Sequence, residues 1–192
     1  TSQTYSLEVE QLEANTNITS ILVGKEELSL EEATLQEDGT YYYKLDRVDE
    51  AYVTVNLESE KSTVSVEGNT ETVVKVELPE DKNKVTIEVI AEDETTKEYT
   101  LVIEKESNDT TVKSITSTEQ IEVEKNEENY VVYCDEDITN LNLTIETNHE
   151  QASVKLADEE DYEGNIITRN IDISEDMLAM NVKAESGNEN SY

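Results

Sequence analysis

The sequence has no tryptophan and no phenylalanine, and only one cysteine and one histidine in 192 residues. A single cysteine forms no intrachain disulfide, so no disulfide framework holds the fold. The single histidine, His149, lies in the turn ETNHEQ. Its isolation excludes histidine clusters for zinc and most Ser–His–Asp arrangements. The five glycines, Gly24, Gly39, Gly68, Gly164 and Gly187, stand apart from one another, so there is no glycine-rich phosphate loop. Basic residues are scarce: 14 against 47 acidic ones, for a formal charge of −33. Phosphate recognition needs Lys and Arg, so nucleic acid is excluded as a partner. Anionic membrane surfaces repel such a chain. No stretch approaches the ~18 consecutive apolar residues of a spanning helix, so no membrane insertion is expected, and no signal peptide is recognisable.

Low apolar content with high charge is also a mark of disorder. Strong patterning argues against it here. Helix signals are poor, whereas period-2 alternation recurs along the chain. Tyr5, Leu7 and Val9 share one face, as do Tyr41, Tyr43 and Leu45, then Val53, Val55 and Leu57. Val64 and Val66, Val74, Val76 and Leu78, Val85, Ile87 and Val89, and Tyr99, Leu101 and Ile103 continue the series. Opposite faces carry Thr, Glu, Lys and Ser, the pattern of half-buried antiparallel strands. Turn sequences separate them at EDG (37–39), EGN (67–69), LPEDKN (78–83) and AEDET (91–95). A further strand is expected near Ile18–Val23, giving about seven per repeat and a two-sheet sandwich. With ten tyrosines as the only aromatics, the cores must be aliphatic with tyrosine at the margins.

The chain repeats itself. AEDETTKEY (91–99) is answered by AESGNENSY (184–192), VTVNLESEKSTVSV (53–66) by LTIETNHEQASVKL (143–156), and NITSI (17–21) by TVKSI (111–115). Tyr5 to Tyr99 spans 94 residues and Tyr99 to Tyr192 spans 93. That period is too long for a solenoid and suits a row of small domains. SLEVE (6–10) follows Tyr5 as TLVIE (100–104) follows Tyr99. Extra residues are expected near EEATLQEDG (31–39) in one copy and DEEDYEGN (158–165) in the other, both in loops. The polar stretches QLEANTN (11–17) and KESNDTT (105–111) read as linkers.

The run from TSILVGKEELSLEE (19–32) through TVSVEGN (63–69) to KVTIEVIAEDETTKEYTLVIEKES (84–107) resembles the cadherin-like β-sandwich repeats of bacterial secreted and cell-wall proteins. LTIETNHEQASVKL and AESGNENSY extend the resemblance over 108–192. It implies an all-β fold of two tandem immunoglobulin/cadherin-like β-sandwich domains plus an N-terminal strand. The expected divisions are 1–10, a strand equivalent to the last strand of a preceding repeat; 11–106, a sandwich; and 107–192, a sandwich lacking its last strand. It further implies a non-enzymatic module at the bacterial cell surface or secreted: a spacer, adhesion unit or subunit of a surface fibre. The chain starts on a strand, which reads as a mature or excised segment. It is a segment of a longer array, a self-assembling subunit, or a chain of different strand order in which SLEVE belongs to the first domain. In the second case Tyr5, Leu7 and Val9 form an assembly strand donated to the second domain of a neighbouring copy. Partners are then neighbouring repeats or copies of itself. The alternative is a carbohydrate- or calcium-binding module of a larger secreted protein.

No catalytic, cofactor-binding or metal residues are assigned. Cys134 alternates with Tyr130 and Val132, which places it inside as a small hydrophobe; the repeat alignment pairs it with Lys44, which places it outside. No basic neighbour in sequence activates it. Glycosidase chemistry needs a cleft and usually aromatic sugar platforms, and Trp and Phe are missing. Calcium is the better acidic hypothesis, through CDEDITN (134–140) and ADEEDYEGN (157–165), although neither has EF-hand spacing; no cofactor is expected. NIT (17–19), NDT (108–110) and NLT (142–144) fit the N-glycosylation pattern and read as chance matches. Tyr41 and Tyr43 are expected to face the core, with Tyr42 outside.

Overall fold

Alternating aliphatic and polar residues leave one face of each strand to be covered, and the fold follows from how that is done. The computed structural model describes residues 5–6, 8–157, 159–173 and 177–192. All regular structure there is β. The chain divides into two compact units, one ending at Lys105 and the other running from Glu106 to Tyr192.

The first unit contains β1 (Ile18–Glu26), β2 (Ser29–Glu32), β3 (Thr34–Leu35), β4 (Tyr41–Leu45), β5 (Glu50–Leu57), β6 (Thr63–Val66), β7 (Val74–Glu77), β8 (Lys82–Ile90) and β9 (Thr96–Lys105). They form two sheets, ordered β2-β1-β5-β7 and β3-β4-β9-β8-β6. Ile21, Val23, Val53 and Val74 from one sheet meet Val85, Ile87, Val89, Leu101 and Ile103 from the other. Each of these is at most 3% exposed, and burial of such a side chain contributes roughly 1.5–3 kcal/mol. This is a sandwich, and its strand pairs are antiparallel except β4–β9, which is parallel. At EGN, Glu67 and Gly68 both have positive φ, 49° and 77°, and Val66 and Asn69 exchange backbone hydrogen bonds. Two positive φ angles in a two-residue loop match the right-handed twist of flanking strands. At Gly24 a Cβ would lie 2.1 Å from the Ser29 carbonyl oxygen, so only glycine lets β1 and β2 approach there.

The second unit contains β10 (Val112–Ser117), β11 (Ile121–Asn126), β12 (Asn129–Cys134), β13 (Asn140–Thr147), β14 (Ser153–Leu156), β15 (Ile166–Asp172), β16 (Met180–Lys183) and β17 (Glu189–Ser191). Its core gathers Ile145, Val154, Leu156, Ile167, Met180 and Val182. The duplicated sequence builds duplicated registers. In the first unit Ile18 opposes Leu57 and Ser20 opposes Asn56, across a bulge. In the second, Val112 opposes Thr147 and Ser114 opposes Glu146, across the same bulge. Leu78 N bonds the Asp49 carbonyl after β7, and Ile173 N bonds the Thr139 carbonyl after β15.

The units differ in one layer. In the first, β9 lies between β4 and β8 and makes a single five-stranded sheet. In the second, the corresponding layer is in two pieces among the described residues, β11-β12 and β14-β16-β17.

Three expectations change. The first unit's extra residues lie in the β1–β2 hairpin rather than near 31–39, because β11 pairs with β12 as β3 pairs with β4. The short strands β2 and β3 bury little, so no apolar alternation marked them. Residues Tyr5, Ser6, Glu8, Val9 and Glu10 lie outside any strand, because β9 already holds the place that sequence matches in the first unit; Leu7 of the expected assembly strand lies outside the described residues.

Candidate functional site

In each unit the incoming polar segment is tied to the unit's own last hairpin. In the first, Glu13 N donates to Glu92 Oε2 at 3.0 Å and Asp93 N donates to the Glu13 carbonyl at 3.2 Å. In the second, Ser107 N donates to Glu185 Oε2 at 3.0 Å and Ser186 N donates to the Ser107 carbonyl at 3.0 Å. Tyr99 Oη donates to the Thr16 carbonyl at 2.9 Å, and Tyr192 Oη to the Thr110 carbonyl at 3.0 Å. The hairpin tips match as well: Ala91 N bonds the Thr95 carbonyl, and Ala184 N the Asn188 carbonyl. Glu94 and Gly187 take the left-handed position, with φ of 70° and 86°.

The segments read as linkers are therefore integral to their units. Asn15 Oδ1 accepts Asn17 N at 2.9 Å, and Asp109 Oδ1 accepts Thr111 N at 2.8 Å. Asn15 and Asn17 both donate side-chain amides to Glu58 Oε2, at 3.0 and 2.8 Å. Those two amides, Asn17 first, hold the Glu58 carboxyl below the usual range. Lys61 beside Glu92 does the same for that carboxyl, helped by the Glu13 amide. The signal was present as Asx-x-Thr at 38–40, 93–95 and 109–111, where the carboxylate caps the amide two residues on.

The second feature is the place that β9 occupies. Leu101 pairs with Tyr41 in parallel and with Val85 in antiparallel fashion, and Ile103 pairs with Tyr43 and Asn83. Leu101 and Ile103 are fully buried. The second unit repeats the wall of this slot. Tyr130 packs on Tyr192 with ring centroids 5.5 Å apart, as Tyr41 packs on Tyr99 at 6.3 Å. Tyr130 thus stands where Tyr41 does, and Cys134 where Leu45 does. This settles the two readings of Cys134 in favour of the inward face; the pairing with Lys44 was displaced by one residue. Leu45 is 5% exposed, whereas Tyr130, Val132 and Cys134 are only half-buried. Among the described residues β12 pairs with β11 alone.

His149 and the acidic loop after β14 have partners within the second unit. His149 stands where Ser59 does: its carbonyl accepts Ala152 N at 3.1 Å and its Nδ1 accepts Gln151 N at 3.3 Å. In the loop 157–165, Glu159 and Glu163 both engage Arg169 at 2.5 Å, closing the loop on β15. The Leu156 amide, then the Arg169 guanidinium, holds the Glu159 carboxyl low. Those carboxylates face a guanidinium, and no group of three or more potential ligands among the described residues is arranged to hold a metal. Tyr41 is buried; Tyr43 is half-buried against the core, with its hydroxyl 3.1 Å from Glu31 Oε2, and Tyr42 is half-buried near Lys82. No helix among the described residues is long and apolar enough to cross a membrane.

No family model matches the chain, and no curated protein matches it. Among solved structures it is similar to Bacteroides ovatus mixed-linkage glucan utilization locus SGBP-B in complex with a mixed-linkage heptasaccharide, at 12% identity. The match covers 80% of this chain and 63% of that one, so the chain spans less than two thirds of that protein's length. The TM-score of 0.26 is too low to carry weight for fold or ligand.

Proposed function

We propose that the chain is a non-enzymatic structural module of an extracellular bacterial protein, a spacer built from cadherin-like β-sandwich repeats. One observation carries this reading. The chain enters the first unit at Thr16–Ile18, held beside Tyr99 near the start of β9, and leaves at Lys105 at the end of β9. Six strand residues separate those points, about 20 Å of extended chain. Incoming and outgoing segments thus lie at opposite ends of the strand, which suits a module strung in tandem. The duplicated linker clamp fixes the incoming end in both units.

Pulling a single molecule from its ends tests this. The expected trace shows two separate unfolding events, each releasing about 300 Å of chain. Saturable, stoichiometric binding of a soluble glucan oligosaccharide or of calcium in calorimetry would overturn it in favour of a ligand-binding module.

A further inference from the structure

We infer that residues 11–15 form an acid-released strap on the first unit. They stay fastened while Glu58 and Glu92 are ionised and come away, with the sandwich still folded, once those carboxylates take protons. The inference concerns regulation and draws on the spacer reading only for its use: a spacer whose incoming segment is fixed at neutral pH and loose in acid.

No apolar side chain of the strap is buried. Residues 11–14 are exposed, Leu12 to 54%, and Asn15 is half-buried. Polar bonds hold the strap, several of them to carboxylates. Glu92 Oε2 accepts the Glu13 amide at 3.0 Å, and Lys61 Nζ donates to the same oxygen at 2.9 Å. Glu58 Oε2 accepts the Asn15 side-chain amide at 3.0 Å and that of Asn17 at 2.8 Å. Glu13 Oε2 accepts the Ser59 hydroxyl at 2.7 Å. Neutral donors reach the strap only at its carbonyls: Asp93 N at Glu13 and Ser62 Oγ at Asn15. Just beyond it, Tyr99 Oη holds the Thr16 carbonyl through a bond that needs no carboxylate. Thr16 therefore stays pinned, and the chain still enters β1 at the same place.

Other charged groups stand around these carboxylates. Lys97 and Glu98, at the start of β9, line one cleft with Glu58, and Lys97 Nζ lies over the Tyr99 ring at 4.4 Å. Glu60 shares the β5–β6 loop with Lys61, and Glu94 shares the hairpin tip with Asp93, whose carboxylate accepts Thr95 N. The Asn17 and Asn15 amides hold the Glu58 carboxyl below its ordinary value of 4.5, and Lys61, then the Glu13 amide, does so for Glu92. Such a group contributes stability above its unfolded pKa and loses it as pH falls through the folded one. The strap therefore loosens below pH 4.5. Without buried apolar surface it has no other large term to keep it in place.

The second unit repeats the strap with mostly neutral partners. By the match of 53–66 to 143–156, Asn148 stands where Glu58 does and Gln151 where Lys61 does. Asn148 N donates to the Thr111 carbonyl at 3.0 Å and its side-chain amide to Thr111 Oγ1 at 2.6 Å. Ser186 Oγ donates to Asn108 Oδ1 at 2.9 Å. Glu185, on Ser107 N, is the carboxylate it keeps. The second strap thus serves as an internal control.

Backbone order parameters of the 192-residue chain, measured by NMR relaxation, test the inference. Between about pH 6 and about pH 3.5 those of residues 12–15 are expected to fall from about 0.85 to below about 0.6. Residues 106–109 and the β8–β9 ladder are expected to keep theirs. Glu58→Gln combined with Glu92→Gln is expected to show a loose strap already at about pH 6 and little further change in acid. A strap that stays rigid in acid overturns the proposal. So do equal loosening of 106–109, loss of order in the β8–β9 ladder in the same step, and a double variant that keeps the wild-type pH dependence. The wild-type comparison decides by itself, whether or not the double variant folds. The two-event force trace at neutral pH can hold whichever result is found, so the two readings fail separately.

Discussion

Tyr192 donates its hydroxyl to the Thr110 carbonyl at 3.0 Å, the counterpart of the bond from Tyr99 to Thr16 at 2.9 Å. The relation explains why a chain without phenylalanine places tyrosine there. The ring packs on a second tyrosine, and the hydroxyl satisfies a carbonyl where the incoming segment turns onto the sheet. Tyr99→Phe and Tyr192→Phe should each cost about 0.5–1.5 kcal/mol. Scanning calorimetry should show the loss in the transition of the substituted unit alone.

Glu94 and Gly187 occupy equivalent left-handed positions, and only one of them is glycine. A side chain there costs about 1 kcal/mol. Glu94→Gly should therefore stabilise the first unit by up to about that much, and Gly187→Ala should destabilise the second by a similar amount. Chemical denaturation of each variant measures both.

Alternation and the tyrosine period made the strands and their duplication legible. The pairing of 53–66 with 143–156 holds strand for strand, because side-chain direction in a strand depends only on parity. Length differences between strands were harder to place. The first unit's extra residues sit in a hairpin where Leu28 is 98% exposed, so apolar pattern says nothing about them. A one-residue slip between β4 and β5 gave Cys134 the wrong partner. The linkers looked loose because their work is done by backbone amides and short polar side chains, Glu13, Asn15, Ser107 and Asp109, which composition alone does not distinguish from solvated loop.

Glu119 is an acid-sensitive point of the second unit. Its carboxylate accepts bonds from Ser117, from Asn142 N and Nδ2, and from Thr118, fastening the β10–β11 turn to β13. Those donors, Ser117 first, lower its pKa from 4.5 to about 2. A depressed carboxyl stabilises the fold above its unfolded pKa, and that contribution is lost as pH falls through the folded value. Wild type should therefore exceed Glu119→Gln in stability above pH 4.5, with the gap closing between there and about pH 2. Urea melts of both proteins across that range read it directly.

Leu101 and Ile103 are the residues by which β9 completes the first unit, and both are fully buried. Leu101→Ala and Ile103→Ala should each destabilise that unit by about 2–5 kcal/mol. Val9→Ala, on an exposed segment, should leave both melting transitions of the monomer in place.

The most direct measurement extends the chain itself. Appending the sequence of residues 100–105 after Tyr192 supplies the second unit with the strand that unites the first unit's layer. Its melting temperature should rise, and labelling of Cys134 by a thiol reagent should slow sharply as the strand covers the inward face of β12. If the appended residues leave both the melt and the thiol unchanged, the two units do not share one plan for this layer.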